Sequence, residues 1–329
     1  MALQTRLTEM LGIEHPIISA PMAFAGGGGL AAAVTAAGGL GLIGGGYGDA
    51  GWLQREFTEA GNTRVGCGFI TWSLARHPEL LQIALAHSPA ALMLSFGTPT
   101  PFAPAVKAAG SKLICQVQNM EHARAAVDAG ADIVVAQGAE AGGHGLSRST
   151  FTLVPEVADY LTKAAPATVL VAAGGIADGR GLAAALMLGA DGALIGSRFW
   201  ASPEALVHSA HQGAAIRADG DATIRTTVVD LVRKIDWPKP FTARVMKTRF
   251  VDEWHDRETE FADPALLERE MTRYLTAMKD GDPENTGVWV GEATGLIHDV
   301  RPAAALLHDI VVDAEASLKI RAASLVRMT

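Results

Sequence analysis

Short apolar runs recur along the chain at about 16–20, 40–43, 65–70, 91–96, 112–117, 132–137, 168–173 and 192–195, with helix-forming segments between them. Apolar at consecutive positions and bounded by glycine-rich turns, they read as buried parallel strands. One junction repeats: Ala-Val-Thr-Ala-Ala-Gly-Gly (33–39), Ala-Val-Lys-Ala-Ala-Gly-Ser (105–111), Ala-Val-Asp-Ala-Gly-Ala-Asp (126–132) and Ala-Leu-Met-Leu-Gly-Ala-Asp (185–191). Each time an alanine-rich helix ends at a glycine able to take the left-handed cap, and an apolar strand follows. Eight strands alternating with helices predict an α/β protein, a (β/α)8 TIM barrel, which takes about 250 residues. A doubly wound sheet is the alternative, but it usually has fewer strands and one fingerprint after the first.

The pattern breaks after Arg217. Residues 219–290 are more charged, carry the run Asp252-Glu253-Trp254-His255-Asp256-Arg257-Glu258, and show helical spacing without obvious strands. The chain therefore divides into a barrel (1–217 with 291–329) and an α-helical insertion (218–290) that caps the substrate side. Trp237, Phe241 and Phe250 are candidates to line a pocket there, with core packing the equal alternative, and the charge run reads as a solvated helix face. From Gly291 onward Leu296, Ile297, Leu306, Leu307, Ile310 and Val311 suggest helices returning to the barrel.

Composition narrows the function classes. The chain has 329 residues, 49% hydrophobic and 19% charged, enough for a large core. No stretch of about 18 apolar residues appears, which argues against a membrane partner. The start, Met-Ala-Leu-Gln-Thr-Arg-Leu-Thr-Glu, lacks the basic-then-apolar layout of a secretory signal. A net charge of −8 argues against nucleic acid. Cys67 and Cys115 lie inside apolar runs and read as buried free thiols in a reducing compartment, so the expected location is the cytoplasm. The oligomeric state stays open, a homodimer included.

The chemistry concentrates in residues 132–145, Asp-Ile-Val-Val-Ala-Gln-Gly-Ala-Glu-Ala-Gly-Gly-His-Gly. A strand ending at Gln137 gives way to a glycine-rich loop that presents His144, at the barrel end where catalysis is found. An imidazole there can exchange protons near neutral pH, although a structural loop histidine is the competing reading. Two further turns, Ala172-Ala173-Gly174-Gly175-Ile176-Ala177-Asp178-Gly179-Arg180-Gly181 and Ile195-Gly196-Ser197-Arg198-Phe199, follow the last two strands. Backbone N–H groups and a helix N-terminus converging there would clamp a phosphate, with Ser197 adding a hydroxyl. A Walker A reading fails, because Arg180-Gly181 stands where Lys-Ser/Thr is required. Gly26–Gly29 and Gly44–Gly46 are weaker signals of close backbone approach. Gly-x-Ser-x-Gly, His-Glu-x-x-His and Cys-x-x-Cys are all missing from the sequence, so no metal site is expected. His208 and His211 share a helix face and read as a surface pair.

Gln-Gly-x-Glu-Ala-Gly-Gly-His (137–144), Gly-Gly-Ile-Ala-Asp-Gly-Arg-Gly (174–181) and Gly-Ser-Arg-Phe (196–199), in this order, resemble the FMN-dependent nitronate monooxygenase family, formerly 2-nitropropane dioxygenases. That family is related to FMN-containing enoyl-ACP reductases and NADH:quinone reductases. The resemblance runs from Leu7 to about Val311, including Pro16–Met22 and Trp289–Ile297. It implies FMN as cofactor, with Pro21 and Met22 against the isoalloxazine ring and Gln137 and Gly142 at flavin-contacting positions. Gly174, Gly175, Leu194, Ile195, Gly196 and Ser197 would match the phosphate clamp, and His144 the catalytic histidine. Gln116 stands where some relatives have a lysine facing the flavin pyrimidine. Gly68 stands where many members carry asparagine, and the chain has only three tyrosines, Tyr47, Tyr160 and Tyr274.

The activity implied is oxidation of alkyl nitronates, with nitroalkanes as further candidates, by O2 to carbonyl compounds and nitrite. His144 would serve as base, or as a charged hydrogen-bonding partner of the nitronate. The rival keeps barrel and FMN but takes hydride from NAD(P)H and reduces a quinone or an enoyl thioester. A flavin-free phosphate-binding barrel and a non-catalytic binding protein complete the alternatives.

Overall fold

The computed structural model describes residues 3–325. In chain order the strands are β1 (Ile17–Ser19), β2 (Leu40–Gly44), β3 (Gly66–Ile70), β4 (Ala91–Ser95), β5 (Lys112–Val117), β6 (Ile133–Gln137), β7 (Gly143–Gly145), β8 (Val169–Ala173) and β9 (Ala193–Ile195). All but β7 form one closed parallel barrel, sealed where β1 pairs with both β2 (Ile18 opposite Leu40) and β9 (Ile18 opposite Leu194). The eight barrel strands coincide with the eight apolar runs. Gly38, Gly110, Gly130 and Gly189, the junction glycines, all take positive φ.

Because successive strand side chains point to opposite faces, two apolar layers result. Ile18, Leu42, Met93, Ile114, Val135, Val171 and Leu194 fill the barrel interior. Ile17, Ile43, Leu92, Cys115, Val134, Leu170 and Ile195 face the surrounding helices. The helix Arg6–Leu11, capped by Thr5, sends Leu7 into the interior layer with Met10 and Leu11 against it. It thereby stoppers the N-terminal end, and only the C-terminal end remains for chemistry. The helix Ala303–Ala316 returns to the barrel, burying Leu306, Leu307, Ile310 and Val311 as the spacing predicts. Both cysteines are free and buried, and burial pushes the Cys115 thiol up to about 12. Among the described residues no helix is long and apolar enough to cross a membrane.

The inserted segment corrects the expectation of helices alone. It holds β10 (Thr223–Thr226) and β11 (Thr242–Met246), paired antiparallel with Thr223 opposite Met246. β11 pairs in turn with β7, placing Ala243 opposite His144. In β11 only Ala243 and Val245 are buried, an alternation too short to stand out from helical spacing. The segment also has its own core, in which Val228, Val229, Val245, Phe250, Trp254 and Tyr274 pack under the helices Arg249–Trp254 and Pro264–Asp280. In the run 252–258 Trp254 is buried there, while Asp252, Asp256 and Arg257 are exposed.

Candidate active site

The C-terminal ends of the barrel strands open into a cavity of about 380 Å³, walled on one side by the insertion. His144, Pro21, Met22, Gly68, Gln116, Gln137, Gly142, Gly174, Gly175, Leu194, Gly196 and Ser197 all line it. Ile195 does not: its side chain points outward into the helix-facing layer, 1% exposed. Strand alternation allows only one of two neighbours to face inward, and Leu194 is that one.

Gly174 and Gly175 turn the chain at φ of 99° and 75° at the end of β8. A Cβ on Gly174 would lie 2.9 Å from the Gly138 carbonyl and 3.0 Å from Thr150 Oγ1. The Thr150 hydroxyl lies 3.0 Å from the Gly174 carbonyl and 2.9 Å from Glu140 Oε2, bracing the turn. At the second turn the helix Ser197–Trp200 has no capping side chain. Ser197 Oγ accepts from Gly291 N–H at 2.9 Å, which keeps its own hydrogen for donation. The rest of the 172–181 motif has another role. Asp178 caps the helix Gly179–Met187 through Gly181 N–H, and the exposed Arg180 pairs with Asp178. A tight glycine turn at Gly174–Gly175 beside the uncapped amides of the helix Ser197–Trp200 suits a phosphate monoester such as that of FMN.

Two glutamines, Gln116 and Gln137, line the cavity, and a third, Gln118, is buried behind them. Gln116 Nε2 (2.9 Å) and Gln118 Nε2 (3.0 Å) both donate to Gln137 Oε1, and Gln137 Nε2 donates to the His144 carbonyl at 3.1 Å. His122 Nδ1 donates to Gln118 Oε1 at 3.0 Å, and burial lowers its pKa. Gln118 and His122 are additions that the motifs did not reveal. Gln137 is thus consumed in positioning, whereas Gln116 keeps its amide oxygen and one N–H for the cavity.

His144, 7% exposed, lies next to Gln137 on a strand held by the insertion. Its Nε2 is 2.8 Å from Asp230 Oδ2, and Arg233 donates to Asp230 Oδ1 at 3.0 Å. Trp237 covers the imidazole in a parallel stack, 3.4 Å between ring centroids and 10° between planes. The Trp237 indole N–H donates to Tyr47 Oη at 3.2 Å, and the Arg233 guanidinium sits 4.7 Å over the Trp289 ring. Burial lowers the His144 pKa; the Asp230 carboxylate opposes that, while Arg233 and Arg225 reinforce it. Burial also pushes Tyr47 up to about 12, so its phenol stays protonated. Behind the loop, Arg225 and Arg244 both donate to the Ala139 carbonyl, at 3.0 and 2.9 Å. Burial, followed by the neighbouring Arg244, lowers Arg225 to about 10.

Around the imidazole, sequence reasoning also missed Asp230, Arg233 and Tyr47. The available signal was a lone acid inside an apolar run, Val228-Val229-Asp230-Leu231-Val232. Of the three aromatic candidates, Trp237 lines the cavity, Phe241 packs on Phe96, and Phe250 lies in the insertion core against Tyr274. His208 is exposed, but His211 is buried, and both reach the cavity wall rather than forming a surface pair. Among the described residues no three potential ligands gather into a metal site.

At Gly68, where the resemblance implied an asparagine in many members, the structure leaves no room for a side chain. A Cβ there would sit 2.4 Å from Pro21 Cγ, so the proline ring occupies the side-chain space. Gly68→Asn is therefore expected to lower the melting temperature by several degrees, as 1–3 kcal/mol of overpacking does. Thermal unfolding checks this, and an unchanged midpoint would show that Pro21 yields freely.

Comparison with known proteins agrees with this geometry. A family profile described as nitronate monooxygenase matches residues 4–64 and 72–313. The nitronate monooxygenase npaC of Metarhizium robertsii is 34% identical, with 92% of this chain and 91% of that protein covered. A nitronate monooxygenase of Neurospora crassa is 31% identical, covering 92% and 90%. Among solved structures, FabK from Thermotoga maritima superposes with a TM-score of 0.85 at 34% identity, covering 97% of this chain and 99% of that one.

Proposed function

The chain belongs to the nitronate monooxygenase family of flavin-dependent oxidoreductases, and from that premise we propose that it binds FMN and oxidises alkyl nitronates with O2, giving carbonyl compounds and nitrite. The observation that carries the reading is one cavity joining two glycine turns to a buried imidazole. The amides at Gly174–Gly175 and Gly196–Ser197, with the Ser197 hydroxyl, would hold the phosphate. Pro21, Met22 and Gly68 would flank the ring, and Gly142, whose Cβ would lie 2.6 Å from Gly291 N, lets the 138–145 loop pack against Val290 and Gly291. Bound FMN would accept an electron pair from the substrate and pass it to O2.

The protein's own contributions follow from the walls. Gln116 would offer an N–H to the pyrimidine edge of the ring, where negative charge develops on reduction. As a neutral donor it stabilises that charge less than the lysine of some relatives. His144 would accept a proton from a neutral nitroalkane. Trp237, Tyr47 and Trp289 would exclude water over the ring, the insertion (218–290) acting as cap of the barrel (1–217 with 291–329). Free buried thiols suit a cytoplasmic enzyme.

Similarity to FabK favours a second reading, in which NAD(P)H reduces the flavin and a quinone or enoyl thioester reoxidises it. Anaerobic mixing separates the two. Loss of the yellow flavin band within the mixing time on adding nitronate, with slow or no bleaching by NADH, is the expected result. Rapid bleaching by NADH with nitronate inert would overturn the monooxygenase assignment.

A further inference from the structure

Asp230 lies 86 positions from His144 in sequence, yet their side chains meet inside the protein, with 3% and 7% of these residues exposed. A carboxylate oxygen only accepts, so at 2.8 Å the hydrogen between them belongs to Nε2. The second ring nitrogen, Nδ1, is then the lone-pair nitrogen of a neutral imidazole that lines the cavity. Arg233 grips the other oxygen of the same carboxylate at 3.0 Å, fixing its orientation.

We infer that Asp230 is the positioning residue of His144: it holds the Nε2–H tautomer, directs Nδ1 to the substrate, and stabilises the charge the ring gains on taking a proton. The inference rests on the assignment of His144 as proton acceptor for neutral nitroalkanes. In that step the substrate C–H bond next to the nitro group breaks. Its electron pair stays on the carbon, delocalised into the nitro group, and the proton moves to Nδ1. A neutral nitroalkane and a neutral imidazole become a nitronate and an imidazolium, whose Nε2–H still donates to Asp230. The logic is that of a carboxylate holding a catalytic histidine, which supports the ring without itself taking the proton. A nitronate supplied ready-made needs no such step, so Asp230 separates the two substrate forms.

The charged groups facing His144 are Asp230 and Arg233 from one inserted segment and Arg225 from β10; Trp237, Phe96 and Trp289 contribute uncharged rings. Removing the Asp230 charge leaves two cations and no anion beside the ring. The imidazolium is then less stable, its pKa falls, and the unprotonated base persists to lower pH.

The test is Asp230→Asn in flavin-loaded enzyme, assayed on a nitroalkane and on its preformed nitronate. We expect kcat/KM to fall about 100-fold for the nitroalkane, but less than about 3-fold for the nitronate. The acid limb of the nitroalkane profile is expected to move down by about one pH unit. A purely structural role would lower both substrates alike and leave the limb in place, and that outcome overturns the inference. Nitrogen-15 NMR of the histidines in the unsubstituted protein supplies a readout independent of turnover and of the variant's folding. A proton on Nε2 of neutral His144 supports the inference, and a proton on Nδ1 overturns it. Wild-type enzyme inert to both nitro compounds would remove the monooxygenase reading while the NMR result still decides how Asp230 holds the ring.

Discussion

Replacing His144 by alanine is expected to leave FMN bound and to lower turnover of a neutral nitroalkane by roughly 10²–10⁴-fold, the usual worth of a positioned acid–base group. The cofactor should stay because the support that Gln137 receives comes from the His144 carbonyl, which alanine keeps. The two phosphate-side turns lie on β8 and β9 and do not depend on the imidazole. Stability should fall as well. Asp230 loses its Nε2–H partner inside the protein, an omission that costs about 1–3 kcal/mol, and Trp237 loses the ring it stacks on. Flavin content by absorbance, nitrite release and thermal unfolding measure the three effects separately. Unimpaired turnover with the flavin in place would remove His144 from the mechanism.

The second large effect is expected at the turn after β8. Gly174→Val places a β-branched residue at a φ of 99°, a region that costs side chains about 1–3 kcal/mol. Its Cβ would also meet the Gly138 carbonyl at 2.9 Å and, at 3.0 Å, Thr150 Oγ1, which is hydrogen-bonded to Glu140 in the brace of the turn. The turn has to open, and its amides lose their common focus. FMN affinity is expected to drop at least about 100-fold, equivalent to roughly 2.8 kcal/mol, so the variant should purify largely colourless. Titration calorimetry with FMN decides the matter. Wild-type affinity would mean that the phosphate is held elsewhere.

The barrel was legible in sequence because its signal is doubled. Each strand is apolar on consecutive positions, and a glycine cap precedes four of the eight. The strands of the insertion were not, since Thr223–Thr226 and Thr242–Met246 are short and polar on one face. Their partner, Gly143–Gly145, has no β-propensity at all and becomes a strand only by pairing. Leu194 and Ile195 looked equivalent for a related reason. When both faces of a strand are buried, composition hides which residue points inward. Motifs named the residues lining the cavity because backbone turns are local features of the chain. They missed Asp230, Arg233 and Tyr47 because those groups reach the imidazole only through tertiary contacts.

That His144 rides on a strand hydrogen-bonded to the insertion has a consequence for engineering. Grafting the 218–290 segment from a relative would re-aim the imidazole even with every barrel residue retained. A workable chimera must therefore transplant 143–145 together with its pairing partner, and loops exchanged at the barrel rim alone should alter substrate preference with less damage to proton transfer.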